Sequence, residues 1–230
     1  MDREAACESV ARKGWLRHTP ASFRRAVLDR CRLENFTEGT TVYSVGDDPG
    51  GMYGIAAGAL AVSVSPGDLG PYTAHFGLPG GWYGQASVFT RQPRRVGLIA
   101  TRDSQLLHLP LRAIDELVRH DPGAWQFFGL LTILQLDAAI EASDDLMIRA
   151  HCKRLVAALL RLGDCHRRKS QNGMPIELDI SHEDLAHLAN VARTTAGTVL
   201  RELEADGHVE LAYRRITILA PDALRLKLQD

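Results

Sequence analysis

The stretch from Ile176 to Leu219 constrains the chain more tightly than any other. It opens with IELDI, a short run of strand type. Ser181 follows, with Asp184 three residues on, the spacing at which a hydroxyl and a carboxylate cap a helix start reciprocally. Leu185, Ala186, Leu188 and Ala189 give the ensuing helix one apolar face. Asn190, a residue that tolerates the left-handed conformation, marks a turn, and Val191 plugs it. A second helix starts near Arg193, turns Val199, Leu200 and Leu203 inward, and stops at Gly207. HVELAYRRITIL then reads as two short strands around Tyr213-Arg214-Arg215. Two helices joined by a tight turn and followed by a hairpin make a helix-turn-helix with a wing.

Such a unit can be an incidental hairpin of a core or a reader of DNA. The residues that open the second helix favour the reader. Arg193, Thr194, Thr195 and Thr198 are polar, and the three threonines are short. Short side chains let a helix approach base edges in the major groove, and one arginine can bond guanine at two points. Ser181, at the start of the first helix, joins this DNA-facing set. Arg214 and Arg215 on the wing, with Arg167, Arg168 and Lys169 in the preceding loop, are suited to phosphates. The chain holds 27 Lys and Arg against 28 Asp and Glu, a net charge of −1. Any nucleic-acid surface is therefore local.

Upstream, the texture changes twice. Residues 1–33 form an N-terminal helical segment, with ASFRRAVLDRCRL from Ala21 to Leu33 reading as a helix behind Pro20. Residues 34–120 hold short β-type runs (TTVYSV, ALAVSV, RVGLIA, QLLHLP) punctuated by Gly and Pro turns, then the helical LRAIDELVRH. Frequent short strands predict an antiparallel sandwich or small barrel. Residues 121–148 form a long helix and residues 149–230 the winged unit. The expected fold class is α+β, with the barrel first and the winged helix-turn-helix last. The long helix carries two apolar stripes: Phe127, Leu131, Leu134 and Ala138, and Ile133, Leu136, Ile140 and Met147. A helix apolar on two sides is covered on two sides. One stripe can lie on the barrel while the other meets a second copy of the chain; a core helix of a monomer is the competing arrangement. Phe127, Leu131, Leu134 and Ala138 are assigned here to the interface between copies.

Several classes are excluded. No apolar run approaches the length of a membrane span, and the N-terminus is too charged for a signal peptide. A cytoplasmic protein with no membrane partner is expected. Cys7, Cys31, Cys152 and Cys165 form no CxxC. Thirteen residues separate Cys152 from Cys165, roughly 20 Å along a helix, so one ion cannot bridge His151-Cys152 and Cys165-His166; no metal is expected. There is no Ser/His/Asp set, Walker loop or H-E-x-x-H, and Asp144-Asp145 reads as a solvated charge pair. The chain is not expected to be an enzyme.

With its segments in this order, the chain resembles the CRP/FNR superfamily of bacterial transcription regulators. These join a cyclic-nucleotide-binding-type β-barrel of jelly-roll form to a long dimerisation helix and a winged helix-turn-helix. The resemblance runs from about Phe36 to Leu219. It rests on Phe36 and Gly39, the Gly46-Asp47 turn, Gly58, Gly84 through Arg94, Arg154-Leu155 with Leu159-Leu160, and LAHLANVARTTAGTVLRELEADGHVEL. It implies a homodimer that binds double-stranded DNA and meets RNA polymerase. It also implies that YGQASVFTRQPR is a phosphate cassette. The amides of a short helix from near Gly84, through Gln85 and Ala86, would hold the phosphate, and Arg94 stands where the family's arginine pairs it.

This sequence departs from that pattern. Gln85 replaces a glutamate that accepts the ribose hydroxyl, and a neutral acceptor bonds more weakly. Arg95 stands where a small residue is common. Neighbouring strand residues face opposite ways, so Arg94 and Arg95 cannot both enter one pocket. Ala139 and Ile140 fall where adenine is hydrogen-bonded, and neither side chain can donate or accept. The cyclic-AMP site is therefore expected to be altered or lost, and cyclic AMP is disfavoured as effector. Another anionic or apolar small molecule, no ligand at all, and a structural role for Arg94 all stay open. Thr194 and Thr198 replace longer readers, so the target site should differ from that of the cyclic-AMP receptor. Cys7 and Cys31 are too few for an iron–sulfur sensor, and His75 is a lone histidine. A second reading keeps the cyclic-nucleotide module but gives the winged helix a protein partner in place of DNA.

Overall fold

The computed structural model describes residues 1–65, 72–165 and 175–229. It divides into two compact units, Met1–Leu134 and Gln135–Asp230.

In the first unit, α1 (Arg3–Arg12) and α2 (Ala21–Asp29) precede the sheets. Asp2 caps α1 by accepting from the Ala5 amide. One antiparallel sheet runs in the order β1 (Arg32–Phe36), β8 (Ser104–Pro110), β3 (Gly51–Ala57) and β6 (Trp82–Tyr83). The other runs β2 (Thr41–Tyr43), β7 (Gly97–Ala100), β4 (Leu60–Val64) and β5 (Tyr72–Gly77). The α+β class is as expected, but the two sheets are separate hydrogen-bonded layers, a sandwich in place of a closed barrel. The expected helix to Leu33 also ends early. Leu33 is already in β1, paired opposite Leu107 of β8.

Strands β3 and β8 are covered on both faces. Ile55 and Leu106 point between the sheets, where Tyr43, Leu60, Val62, Leu98 and Ala100 complete one core. Met52, Ala56, Leu107 and Leu109 point the other way, into a second core. That core also takes Trp15, Phe23, Ile114 and Leu117 of α4 (Leu111–His120), and Phe128 and Leu131 of α5 (Ala124–Met147). Gly54 allows the indole of Trp82 to lie flat on β3, since a Cβ there would sit 2.4 Å from the ring.

Within the single chain the two stripes of α5 are covered unequally. Leu131 is buried in the helix-side core, and Phe127 and Leu134 pack against it. Phe127, Leu134 and Ala138 are half-buried. Ile133, Leu136, Ile140 and Met147 are the exposed set. The physical reason is aromatic fit: Phe127 packs tilted and Phe128 edge-on against Phe23 of α2, at 4.7 and 5.5 Å between ring centroids.

The second unit contains the end of α5, α6 (His151–Leu162), β9 (Ile176–Leu178), α7 (His182–Leu188), α8 (Arg193–Ala205), β10 (Val209–Ala212), β11 (Arg215–Ile218) and α9 (Pro221–Gln229). The strands form one antiparallel sheet, β10-β11-β9. Leu155, Leu159, Leu185, Val199, Leu200, Leu203 and Ile216 are buried. The helix-turn-helix and its wing thus fall where the apolar spacing put them. Helix α9, which packs on α6, carries Leu224 inward. Asp144 is exposed, but Asp145 is not the solvated charge expected. Its carboxylate accepts from Arg161 Nε at 2.7 Å, with the two side chains only 4% and 6% exposed. Among the described residues, no helix is long and apolar enough to cross a membrane.

Candidate functional site

The turn between α7 and α8 is built as its residues require. Ser181 accepts from the Asp184 amide at 3.0 Å, while Asp184 accepts from the Ser181 amide at 3.4 Å and its hydroxyl at 2.6 Å. This reciprocal cap starts α7. Asn190 takes the left-handed conformation, with φ of 49°. Arg154 then fixes the turn from α6. Its Nε and Nη2 donate to the carbonyls of Ala189 and Asn190 at 2.5 and 2.9 Å, and its Nη1 to that of Ile148 at 3.0 Å. One guanidinium therefore ties the end of α7 to the residue just after α5. This role was not legible in the sequence, because the partners are main-chain carbonyls far along the chain.

The exposed start of α8 faces two grooves. Arg193 and Gly197 share one with Ser181, His182, Glu183 and Asp184 of α7 and with Ala212, Tyr213 and Arg214 of the wing. Thr194, Thr195 and Thr198 line another with His151, Cys152, Val199 and Glu202. The Thr198 hydroxyl donates back to the Thr194 carbonyl at 3.1 Å. Outward it offers a methyl group and an acceptor. Arg201 likewise folds back, donating to the Gly197 carbonyl at 3.0 Å.

On the wing, the two arginines separate. Arg214 holds the left-handed conformation, φ 54°, where glycine would be easier. Strained non-glycine positions of this kind cluster at functional sites, and Arg214 shares the groove with Arg193. Arg215 instead lies 4.0 Å from Glu177 of β9. Tyr213, at the hairpin tip, is 91% exposed. The basic residues Arg167, Arg168 and Lys169 lie outside the described residues.

The cassette of the first unit centres on Arg94. Its side chain is turned inward, 4% exposed, whereas Arg95 is exposed. Strand-like alternation thus separates the pair. The Arg94 Nη1 donates to the carbonyls of Gly51 at 2.8 Å and Gly84 at 3.3 Å. Its guanidinium carbon sits 4.2 Å above the centre of the Tyr43 ring. Gly84 precedes α3 (Gln85–Thr90) with φ of 108°. A Cβ on it would come within 2.5 Å of both Arg94 Nη1 and the Gly51 carbonyl. Gln85 is half-buried at the helix start and Ala86 is exposed. Among the described residues, Arg94 Nε and the Tyr43 hydroxyl are buried with no hydrogen-bond partner.

Other groups hold the cassette in place. His108 faces Glu34 Oε1 with Nδ1 and the Gly50 carbonyl with Nε2, each at 2.9 Å, and stacks on Tyr53 at 4.4 Å. Phe89 at the end of α3 packs on Trp125 of α5 at 5.2 Å, and Arg91 pairs with Asp115 of α4. Burial raises the Tyr43 phenol pKa far above its usual value, with the Arg94 charge opposing. Burial raises that of Tyr83 too, and nearby Tyr43 adds to it. Tyr53 is raised by burial and then by Glu34. These phenols therefore stay neutral at physiological pH. Their involvement was hidden in the sequence, where an isolated tyrosine in a strand looks like any other.

Comparison with known proteins follows this division. Residues 33–121 match the model of the cyclic nucleotide-binding domain, and residues 153–226 that of the Crp-like helix-turn-helix domain. The chain is 27% identical over 198 residues to a global nitrogen regulator of Synechococcus elongatus, covering 84% of this chain and 88% of the relative. It is 27% identical over 178 residues to a cyclic AMP receptor protein of Thermus thermophilus, covering 76% and 78%. Its fold is similar to that of FixK2 from Bradyrhizobium japonicum, with a TM-score of 0.70, 18% identity, and coverage of 85% of this chain and 96% of that one.

Proposed function

Since the chain belongs to the CRP/FNR superfamily of transcription regulators, we propose that it works as a homodimer on a two-fold related DNA site, under a sensing domain whose cyclic-AMP site is altered. It is a regulator and not an enzyme.

The observation that carries the DNA-reading geometry is the groove in which Arg193 of α8 and Arg214 of the wing converge. A helix start and a wing tip that present cations to one groove suit a base edge and the flanking phosphate. In this reading Arg193 bonds guanine, Thr194, Thr195 and Thr198 meet neighbouring bases, and Arg214 takes a phosphate. Ser181 supports the geometry through its cap. Arg215, exposed on the same wing beside Glu177, takes a further phosphate. RNA polymerase is the further partner that regulation requires.

Homodimer formation is supported by the exposed stripe of α5. Ile133, Leu136, Ile140 and Met147 follow helical spacing and are half exposed or more among the described residues. Water is a poor cover for such a stripe, and a second α5 is a complementary one.

The altered effector site is supported by what Arg94 already does. Its Nη1 is engaged by two carbonyls and its face by Tyr43. An arginine held this way braces the loop around Gly51 against α3. Gln85, a neutral acceptor where the resemblance calls for a glutamate, weakens a further contact on which cyclic-AMP recognition would depend. Arg95, being exposed, stands outside the cassette of Gly84, Gln85, Ala86 and Arg94.

The test is fluorescence anisotropy with a duplex enriched from a random library by the protein itself. Sequence-specific binding that weakens steeply with salt is expected. Arg193→Ala should lower affinity for that duplex by about 1–3 kcal/mol and leave the melting temperature unchanged. Equal affinity for enriched and scrambled duplexes would overturn the proposal, and unaltered binding by Arg193→Ala would favour a protein partner for the winged helix.

A further inference from the structure

Glu183 is the second residue of α7, and its carboxylate lies 3.6 Å from Arg193 Nη1. The two side chains are 71% and 75% exposed. An ion pair so open to water adds little to folding. Its consequence lies in where it stands: both residues line the groove that also holds Arg214 and Tyr213 of the wing. The neighbouring carboxylate, Asp184, is already engaged by the Ser181 amide and hydroxyl. Glu183 therefore brings negative charge to a face that must meet a polyanion.

An arginine on such a face can satisfy itself in two ways. It can bond a phosphate, which every sequence offers, or the paired acceptors of guanine, which only some positions offer. The carboxylate of Glu183 bears on the two outcomes differently. Glu183 gives up its partner in either complex, but when Arg193 turns to a phosphate Glu183 also faces a like charge. When Arg193 reaches into the groove to a guanine edge, the guanidinium gains two bonds in one plane, and no new anion is drawn beside Glu183. Thr194 and Thr198 are too short to discriminate as an arginine does, so the behaviour of Arg193 weighs heavily in the choice of site.

We propose that Glu183 is a specificity-determining residue, which holds Arg193 in the DNA-free protein and penalises complexes in which that arginine takes a phosphate in place of a base. This rests on the DNA-reading proposal above. Specificity is a difference of affinities, and a repulsive element against the wrong partner is one of its two sources.

The experiment uses the full chain, a duplex enriched from a random library by the wild-type protein, and a scrambled duplex of equal length and composition. Glu183→Gln keeps the shape and removes the charge. Its affinity for the scrambled duplex should rise about fivefold, the size of one like-charge contact near a surface. Affinity for the enriched duplex should change less than about twofold, within the range of a neutral surface substitution. The salt dependence on scrambled DNA should steepen by about one phosphate contact. In an Arg193→Ala background, Glu183→Gln should no longer change the ratio of the two affinities. Thermal melting of Glu183→Gln should match wild type. A wild-type ratio preserved in Glu183→Gln would overturn the role of Glu183 and leave the DNA-reading proposal standing. A loss of affinity confined to the enriched duplex would also overturn it, because Glu183 would then be contacting a base itself. Failure of the wild-type protein to distinguish the duplexes would overturn both.

Discussion

Replacing Arg94 with methionine tests whether this arginine braces the fold or is held ready for a ligand, because the two roles give stability changes of opposite sign. The structure gives Nη1 two carbonyl partners, the nearer at 2.8 Å and the farther at 3.3 Å, and puts the cation 4.2 Å over Tyr43. A hydrogen bond from a charged donor contributes about 1.5–3 kcal/mol, and the farther contact less. The cation–π contact adds about 1–2 kcal/mol in a desolvated place. Against this stands the desolvation of a guanidinium that is almost fully buried, several kcal/mol for a buried ion, with Nε lacking a partner among the described residues. Methionine relieves that cost and refills part of the volume. Methionine also leaves the buried carbonyl of Gly51 and the partly buried one of Gly84 without their donor, about 1–3 kcal/mol for an unsatisfied group, so the balance for a brace is a loss of about 2–4 kcal/mol. The assay is urea unfolding of nucleotide-free protein followed by tryptophan fluorescence. All three tryptophans, Trp15, Trp82 and Trp125, lie in the first unit, so the signal reports the unit that holds Arg94. A clearly lower midpoint with unchanged slope is expected. Thermal unfolding should drop by roughly 10 °C, at about 2–8 °C per kcal/mol for units of this size. A variant as stable as wild type, or more stable, would refute the reasoning. Arg94 would then be a charge kept at a cost to stability, as a binding residue is.

Two further outcomes follow from the packing. Ile140→Asp puts a charge on the exposed stripe of α5 without touching either core; sedimentation velocity should show the dimer replaced by folded monomer, and a variant that stays dimeric would move the interface elsewhere. Arg161→Met leaves Asp145 buried without its partner, which should destabilise the second unit by about 3–5 kcal/mol, while Arg161→Met with Asp145→Leu should recover most of that loss; a single-variant cost below about 1 kcal/mol in circular-dichroism unfolding would show that water reaches the pair.

What could be read in advance divides along a physical line. The winged unit was legible because its determinants are local: Ser181 and Asp184 cap one turn, Asn190 tolerates one unusual φ, and the spacing of Val199, Leu200 and Leu203 sets one helix face. Strand β3 was not, because it is covered on both sides. In GMYGIAA, Met52 and Ala56 serve one core while Ile55 serves the other, and the alternation that betrays a half-exposed strand vanishes. The two stripes of α5 show a third case. Both were visible, yet spacing alone cannot say which one the chain itself covers. That choice is made by Phe23, a hundred residues upstream, whose ring takes Phe127 and Phe128. The same holds for the cassette. The sequence implies that one of Arg94 and Arg95 turns inward, and the main chain decides which. Arg94 donates its amide to Asp47 at 2.8 Å and accepts from the Gly46 amide at 2.9 Å, which fixes its backbone on the Gly46-Asp47 turn while its side chain goes in under Gly84. Arg154 and His108, two site residues that spacing could not reveal, both bind main-chain carbonyls. Such partners leave no trace in side-chain pattern, so the parts of this molecule that hold its two sites in shape are the parts least visible in its sequence.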